Sequence, residues 1–301
     1  VGAAALLEAI TTAQAALTGQ SVAEVEAATA ALKTAIQVYR YANASPENPL
    51  DMTSFLTNPS FADNTATGWQ GAGTVNYQEV EFYEKTFNMY QTISGLPAGK
   101  YRLKAQGFER PKANDAGAAY KAGTEMLYAR LYASSTGYAE RNTPFNSLYK
   151  HSYTGSGSTS GYVNTMSAAK TVMASGVNYL MTVTDILLNE GGKLTIGAKT
   201  TFQQGGYWAL FDNFKLEYLG GITLSDRAVA LPDRIAEANS LLAQRMQQTA
   251  IDALNAAITQ AQQAATAQPL VEADVNAAKN SLDLAISTAN TSIQAYVKLL
   301  K

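Results

Sequence analysis

Cysteine is absent from the 301-residue chain and histidine occurs once, at His151. The first absence excludes a disulfide framework, a thiolate metal site and a cysteine nucleophile. The second means that a Ser-His-Asp relay or a histidine metal site would have to use His151 alone, beside a glycine and serine loop poorly suited to rigid positioning. Net charge is also scarce: 22 basic and 24 acidic side chains leave a formal charge of -2. Nucleic-acid binders usually carry a basic stripe or a strongly basic domain, so no nucleic-acid partner is expected. No apolar run reaches the roughly 18 residues that a membrane-spanning helix needs. The opening Val1-Gly2-Ala3-Ala4-Ala5-Leu6 has no basic n-region and lies inside a helical pattern. It is therefore not an intact signal peptide, and the expectation is a chain that starts partway through a longer protein. Gly191-Gly192 and the other glycine pairs lack the lysine of a phosphate-cradling loop, so nucleotide binding is unsupported.

What the chain does have is apolar residues, 47% of the total, enough to bury a core. Its length suits two or three modules. The middle, residues 58–221, reads as β. In its closing run Leu210, Asp212, Phe214, Leu216 and Tyr218 share one face of an extended chain, with Phe211, Asn213, Lys215 and Glu217 on the other. Tyr101, Leu103 and Ala105 alternate with Arg102, Lys104 and Gln106 in the same way, as do Leu194, Ile196 and Ala198 with Thr195, Gly197 and Lys199. Short strands separated by turns, with one helical signal from Met166 to Ser175, predict an antiparallel β-sandwich or barrel.

Both ends are alanine-rich and helical. Leu6, Ile10, Ala13 and Leu17, then Val25, Ala28, Leu32, Ala35 and Ile36, recur at helical spacing, and Ser21 with Glu24 offers a cap for the second helix. Ser45-Pro46-Glu47-Asn48-Pro49 ends this hairpin and opens a linker over residues 45–57. In the C-terminal part, residues 222–301, a helix is expected to start at Pro232-Asp233. A second is capped near Thr249 and Asp252, and a third follows Pro269. Ala9-Ile10-Thr11-Thr12-Ala13-Gln14 reads against Ala257-Ile258-Thr259-Gln260-Ala261-Gln262, and Val25, Ala28, Leu32 and Ile36 against Val275, Ala278, Leu282 and Ile286. The two ends look like copies of one unit.

On those helical stripes the ends resemble the FIVAR-type three-helix modules of large secreted bacterial surface proteins, the first copy (residues 1–44) lacking its leading helix. The middle resembles the galactose-binding-like sandwich of carbohydrate-binding modules, especially those on glycan-degrading proteins of gut Bacteroidetes. The motifs are Asn58-Pro59-Ser60-Phe61 with Gly68-Trp69, the run Tyr90 to Tyr101, and Phe211-Asp212-Asn213-Phe214-Lys215-Leu216. The implied architecture is multidomain, β plus α: an antiparallel jelly-roll sandwich flanked by N- and C-terminal helical bundle segments. The implied role is noncatalytic glycan binding and spacing within a larger secreted, periplasmic or surface protein, the partners being a polysaccharide and the other domains of that protein. A structural or adhesive module that binds protein is the alternative, and a glycoside hydrolase using carboxylates such as Glu79, Glu81, Glu84, Glu109 and Asp212 is a third reading. In the resembled family, an acidic residue directly after the first-strand Phe often joins a final-strand Asp at a structural calcium. Ala62 stands in that place here, which leaves Asp63 and Asp212 as the calcium candidates; bonding of Asp212 or Asn213 to local backbone is the competing reading.

Sugar rings have apolar faces and a fringe of hydroxyls, so a site needs an exposed aromatic platform beside amide, carboxylate or guanidinium groups. The candidates are Trp69 and Trp208 as platforms, Glu109 and Arg110 at a strand end, and Tyr149, His151 and Tyr153 before the flexible Gly155-Ser156-Gly157-Ser158 loop. Trp69 serves equally well as core, Trp208 beside Gly205-Gly206 is expected to be exposed, Glu109 and Arg110 can pair on the surface, and tyrosines commonly fill strands. The N-terminal hairpin and the C-terminal helices are expected to leave the sandwich close together and to pack into one bundle.

Overall fold

The computed structural model describes residues 2–19, 21–112 and 116–299. Helices α1 (Ala3–Ala16) and α2 (Val22–Ala42) form an N-terminal hairpin. Strands β1 (Leu50–Asp51), β2 (Thr74–Asn76), β3 (Glu79–Tyr83), β4 (Phe87–Ile93) and β5 (Gly99–Arg110) follow. After the single-turn helix α3 (Ala118–Lys121) come β6 (Arg130–Ser135), β7 (Arg141–Pro144), β8 (Asn146–Ser147), β9 (Ser158–Thr159) and β10 (Tyr162–Val163). Helix α4 (Met166–Met173) leads into β11 (Leu180–Leu188), β12 (Leu194–Thr200) and β13 (Trp208–Gly220). The chain closes with α5 (Leu224–Leu241), α6 (Gln248–Thr266) and α7 (Glu272–Leu299).

The middle is an antiparallel β-sandwich. One sheet runs β11-β5-β13-β3-β2, with β1 added to β13 and the short β8 pairing parallel to β5; the facing sheet runs β4-β12-β6-β7. Tyr101, Leu103 and Ala105 of the first sheet and Leu131, Leu194, Ile196 and Ala198 of the second meet in one apolar core. The alternation seen in sequence is the cause: each strand turns one set of side chains inward and leaves Arg102, Lys104 and Lys199 at the outer face.

Strand β13 corrects the simple alternation. Ala209 and Phe211 face the sandwich core, yet so do Phe214, Leu216 and Tyr218, which sit an odd number of residues further on. A bulge between Asp212 and Lys215 resets the phase, with Asn213 in left-handed backbone at φ 56°. The Asn213 amide donates to Oε1 of Gln106 at 2.7 Å, which anchors the irregularity to the neighbouring strand. On the opposite face, Trp208 and Leu210 join Phe108, Tyr179 and the apolar side of α4 in a second cluster. Both faces of the N-terminal half of β13 are therefore covered.

Leu50 pairs with Tyr218, and the Met52 N–H donates to the Leu216 carbonyl at 2.8 Å, so the chain joins the sandwich beside the strand by which it leaves. The helical ends nonetheless do not merge. The bundle core of α5, α6 and α7, including Leu231, Leu254, Val275 and Leu282, contains no described residue of α1 or α2. Tyr41 of α2 instead packs edge-on against Tyr218 at 5.2 Å. The bundle is held elsewhere, through ion pairs Lys100–Asp226 at 3.3 Å and Arg141–Asp233 at 2.6 Å and through contacts of Tyr138, Leu187 and Ala230. Different patches of the sandwich thus hold the two ends.

Helix α5 starts earlier than the proline suggests. Thr223 and Asp226 form a reciprocal capping box, and Pro232 lies inside the helix; two satisfied backbone donors outweigh the proline signal as a start marker. At α6 no side chain caps the helix, and the Gln247 N–H donates instead to Ser292 of α7 at 2.8 Å. In the N-terminal hairpin Ser21 does accept from the Glu24 N–H. The two ends differ in burial: Val275, Ala278 and Leu282 are buried between helices, whereas among the described residues of the hairpin only Ala28 is buried and Leu17 is 77% exposed.

The bulge yields a measurable expectation. Asn213→Gly and Asn213→Val both delete the amide contact, but valine is β-branched and resists positive φ. In urea denaturation Asn213→Val should be the less stable of the two by about 1–3 kcal/mol; equal stabilities would show that the backbone at this position is not constrained as described.

Candidate functional site

Strand β5 ends in Glu109-Arg110, and alternation sends these two side chains in opposite directions. Glu109 turns inward and is fully buried, its Oε1 accepting from the N–H groups of Tyr128 at 2.6 Å and Ala129 at 2.9 Å. Burial pushes the carboxyl up to about 7, against the pull of those two N–H groups and the Tyr207 hydroxyl. The expected surface pair with Arg110 is therefore absent: Glu109 fastens the strand that begins at Arg130, and Arg110 turns outward. The Arg110 Nε donates to the Gly206 carbonyl at 3.3 Å and a terminal nitrogen to Oδ1 of Asn164 at 2.7 Å. Its guanidinium lies 5.3 Å from the centre of the Trp208 ring.

Trp208, expected at the surface, is 2% exposed. It sits opposite Arg110 in the strand register and edge-on to Phe108 at 5.1 Å. The adjacent glycines let the chain turn, but the register then carries the indole beneath α4, so it supports Arg110 from below instead of presenting a platform. Trp69 is core as well. It packs against Phe214 at 4.6 Å and Phe61 at 5.5 Å, and its indole N–H donates to the Asn58 carbonyl at 3.2 Å.

The Gly155-Ser156-Gly157-Ser158 segment, expected to be a flexible loop, is a turn closed by the Ser158 N–H on the Gly155 carbonyl at 3.2 Å, and it leads directly into a hairpin. Strands β9 and β10 pair around Ser160 and Gly161, both at positive φ. The Tyr153 N–H reaches the Gly161 carbonyl at 2.8 Å, and the Asn164 N–H reaches Gly157 at 2.8 Å. This hairpin forms one wall of a groove of about 290 Å³ lined by Arg110, Tyr149, Thr159, Ser160, Tyr162 and Asn164, among others. Tyr149 lines it beside the hairpin: Ser147 Oγ accepts from its N–H at 3.1 Å, and its ring meets Tyr162 edge-on at 5.0 Å. Gly117, at φ +75°, packs so closely on the Tyr149 ring that a Cβ there would lie 3.0 Å from it. Lys121 of α3 places its ammonium 5.9 Å from the centre of the Tyr162 ring.

Of the seven sugar-site candidates, Arg110 and Tyr149 line this groove. His151 and Tyr153 are outside its lining. Nε2 of His151 accepts from the Tyr179 N–H at 3.4 Å and its ring stands edge-on to Tyr179, while burial first and Lys150 second lower its pKa and favour the neutral imidazole. Tyr153 packs against the cluster beneath α4. Thr159, Ser160, Tyr162 and Asn164 were not among the sequence candidates. The signal that could have found them is the Ser-Gly pair at 160 and 161 between two short runs, a two-residue hairpin pattern. A larger cavity of about 780 Å³ lies between α7 and Thr136-Gly137, and its lining has no aromatic ring.

The two calcium candidates do not form a ligand set. Asp63 is exposed and accepts from Asn58 at 2.9 Å and from the Thr65 N–H and hydroxyl at 3.0 and 2.8 Å, bonds that lower its pKa. Asp212 is fully buried on β13 and pairs with Lys170 of α4 at 3.0 Å. That ammonium already supplies a positive charge to Asp212, and among the described residues no group of three or more His, Cys, Asp or Glu could hold a metal. Asp212's electrostatic neighbour is Glu79, also fully buried, whose carboxyl oxygens have no hydrogen-bond partner. Burial pushes Glu79 up to about 9, with a further push from Asp212. Burial also raises Asp212 to about 6, against the pull of Lys170.

No protein-family model matches the sequence, and no curated protein does. Among solved structures, the chain is similar to TmCBM61, determined in complex with β-1,4-galactotriose. That likeness has 18% identity and a TM-score of 0.32 over 54% of this chain and 96% of the other. It is also similar to the CBM51-2 and INT domains of ZmpB from Clostridium perfringens, determined with and without GlcNAc, at 12% identity and a TM-score of 0.19. There the match covers 68% of this chain and 36% of the other. The sandwich is defined here by its own strand pairing, and the groove by its own side chains.

The enclosed acid sets a pH dependence. The folded value of Glu79, about 9, lies above the unfolded value of 4.5, so between them the folded state keeps a proton that the unfolded chain has released. The associated stability is full below the lower value and is lost as pH rises toward the upper one, with a slope of up to ~1.4 kcal/mol per pH unit. Urea denaturation at about pH 5 and about pH 8 should show the lower stability at the higher pH. Glu79→Gln, which has no proton to lose, should remove about half of that fall, the remainder coming from Glu109 and Asp212, whose values burial also raises; the wild-type slope in the variant would assign the effect elsewhere.

Proposed function

We propose that this chain is a noncatalytic carbohydrate-binding segment of a larger secreted or surface protein, with the helical ends serving as spacer modules. The observation that carries the reading is the groove itself. It collects two tyrosine rings, a fixed guanidinium, an amide and two hydroxyls around a space of about 290 Å³. Pockets for small ligands run to roughly 300–1,000 Å³ and combine apolar surface with a few placed polar groups. The space therefore suits a chain end or a short stretch of saccharide. Tyrosine rings offer apolar faces to the C–H side of a sugar, and Asn164, Thr159 and Ser160 offer the donors and acceptors its hydroxyls require. Tyr162, half-buried, is the ring best placed to meet a ligand; Tyr149 is mostly covered.

A hydrolase reading needs two carboxyl groups flanking the substrate at about 5 to 10 Å from each other. Glu79, Glu109 and Asp212 are fully enclosed, and no described carboxylate lines the groove. Binding without turnover fits this arrangement better. A calcium ion has no place in the proposal, because Asp63 and Asp212 belong to separate networks.

Affinity-gel electrophoresis or a glycan array with the full chain tests the reading. Tyr162→Ala and Asn164→Ala should each weaken binding to whichever glycan is retained by about 10-fold or more and leave the melting temperature within a few degrees of wild type. Trp208→Ala is a different kind of change, expected to cost about 3–5 kcal/mol of stability because it empties a core position. Absence of binding to every glycan offered would end the proposal, as would retained binding in both groove variants.

A further inference from the structure

We propose, resting on the carbohydrate reading above, that the groove selects an acidic saccharide and that Arg110 is the specificity-determining residue, its guanidinium receiving the sugar carboxylate. Arg110 is the one ionised side chain among the described residues lining the groove; Tyr149, Thr159, Ser160, Tyr162 and Asn164 are neutral. No ion pair among the described residues involves it: the acid next to it in sequence, Glu109, points to the interior, and Arg110 itself donates to a carbonyl and an amide oxygen. No described carboxylate lines the groove beside it; the nearest acid in its network, Glu84, accepts instead from the Gly206 N–H at 2.7 Å. Lys121, close to the Tyr162 ring, adds a second positive charge at the groove.

The guanidinium is also held in place before any ligand arrives. Gly206 and Asn164 fix two of its five donors, and Trp208 underlies the group. A planar fork restrained in this way matches the two oxygens of a carboxylate, and such charge-assisted bidentate contacts are roughly twice as strong as neutral hydrogen bonds. A neutral sugar requires only hydroxyl-sized donors and acceptors, which Asn164, Thr159 and Ser160 already supply. A uronic acid residue uses all of these features together: ring face toward Tyr162, hydroxyls toward the amide and hydroxyl groups, carboxylate on Arg110.

The test compares uronate oligosaccharides, namely oligogalacturonate, hyaluronan and alginate fragments, with their carboxyl-reduced counterparts in calorimetric titrations of the full chain. The expected result is that at least one acidic fragment binds about 10-fold or more tightly than its reduced form, with affinity falling as salt rises. Arg110→Gln should erase that difference while keeping the wild-type melting temperature, and Arg110→Lys, which retains charge but not the fork, should restore only part of it. Equal affinity for acidic and reduced forms overturns the acidic preference and leaves the carbohydrate reading standing. An acidic preference that survives in a folded Arg110→Gln variant removes Arg110 from the site. Binding of neutral glycans alone also overturns the acidic preference, and binding of no glycan at all overturns both readings. Should Arg110→Gln fail to fold, the comparison of acidic with reduced ligand on the wild-type chain still decides the proposal.

Discussion

Strand β13 has to satisfy two apolar surfaces at once. Its N-terminal half is sandwiched between the core of the two facing sheets and the cluster under α4, and its C-terminal half keeps only the first of these contacts. The bulge at Asn213 makes this workable, because one irregular step lets Phe211 and Phe214 both point into the sandwich. Fully burying a phenylalanine or leucine is worth about 1.5–3 kcal/mol, so a strand with several such side chains on each face sets the register of its neighbours. Arg110 lies opposite Trp208 in that register, and the position of the groove follows from it.

The same burial decides what the charged groups can do. Glu79, Glu109 and Asp212 would be the natural candidates for chemistry on composition alone, yet each is enclosed. Glu109 is stabilised by two backbone N–H groups and Asp212 by Lys170, while Glu79 has no hydrogen-bond partner, feels Lys170 only at a distance, and is the group most strongly driven toward its neutral form. Arg110 escapes this fate through the alternation of β5, and the nearby hairpin and Tyr149 turn its surroundings into a recess.

The helical ends obey a different constraint. An alanine-rich helix buries little area, and three such helices are needed to enclose a common core, as α5, α6 and α7 do with Leu254, Val275 and Leu282 at its centre. Two helices alone leave apolar residues such as Leu7 and Leu17 exposed. Neighbouring points of departure from the sandwich were insufficient to join the ends, since the hairpin meets β13 through Tyr41 while the bundle is fixed by Lys100 and Arg141.

Local pattern alone determined the order of helical and extended segments, the alternation that makes a sandwich, the Ser21 cap and the short α4 helix, because these depend on residues within a few positions of each other. It misplaced the start of α5, where the proline drew attention from the Thr223 and Asp226 box upstream of it, and it could not see the phase reset at Asn213, which rests on a bond to Gln106 on another strand. For the candidate site, Arg110 and Tyr149 were legible as residue types, while Trp208 was misjudged because its burial comes from α4 and β5 packing around it. Tertiary structure alone decided which of the polar residues face solvent, that Asp63 and Asp212 stay in separate networks, and that Tyr162 and Asn164 stand beside Arg110. The physical reason is that burial, charge compensation and a shared cavity are properties of groups distant in sequence, set by strand register and by the helix laid over it.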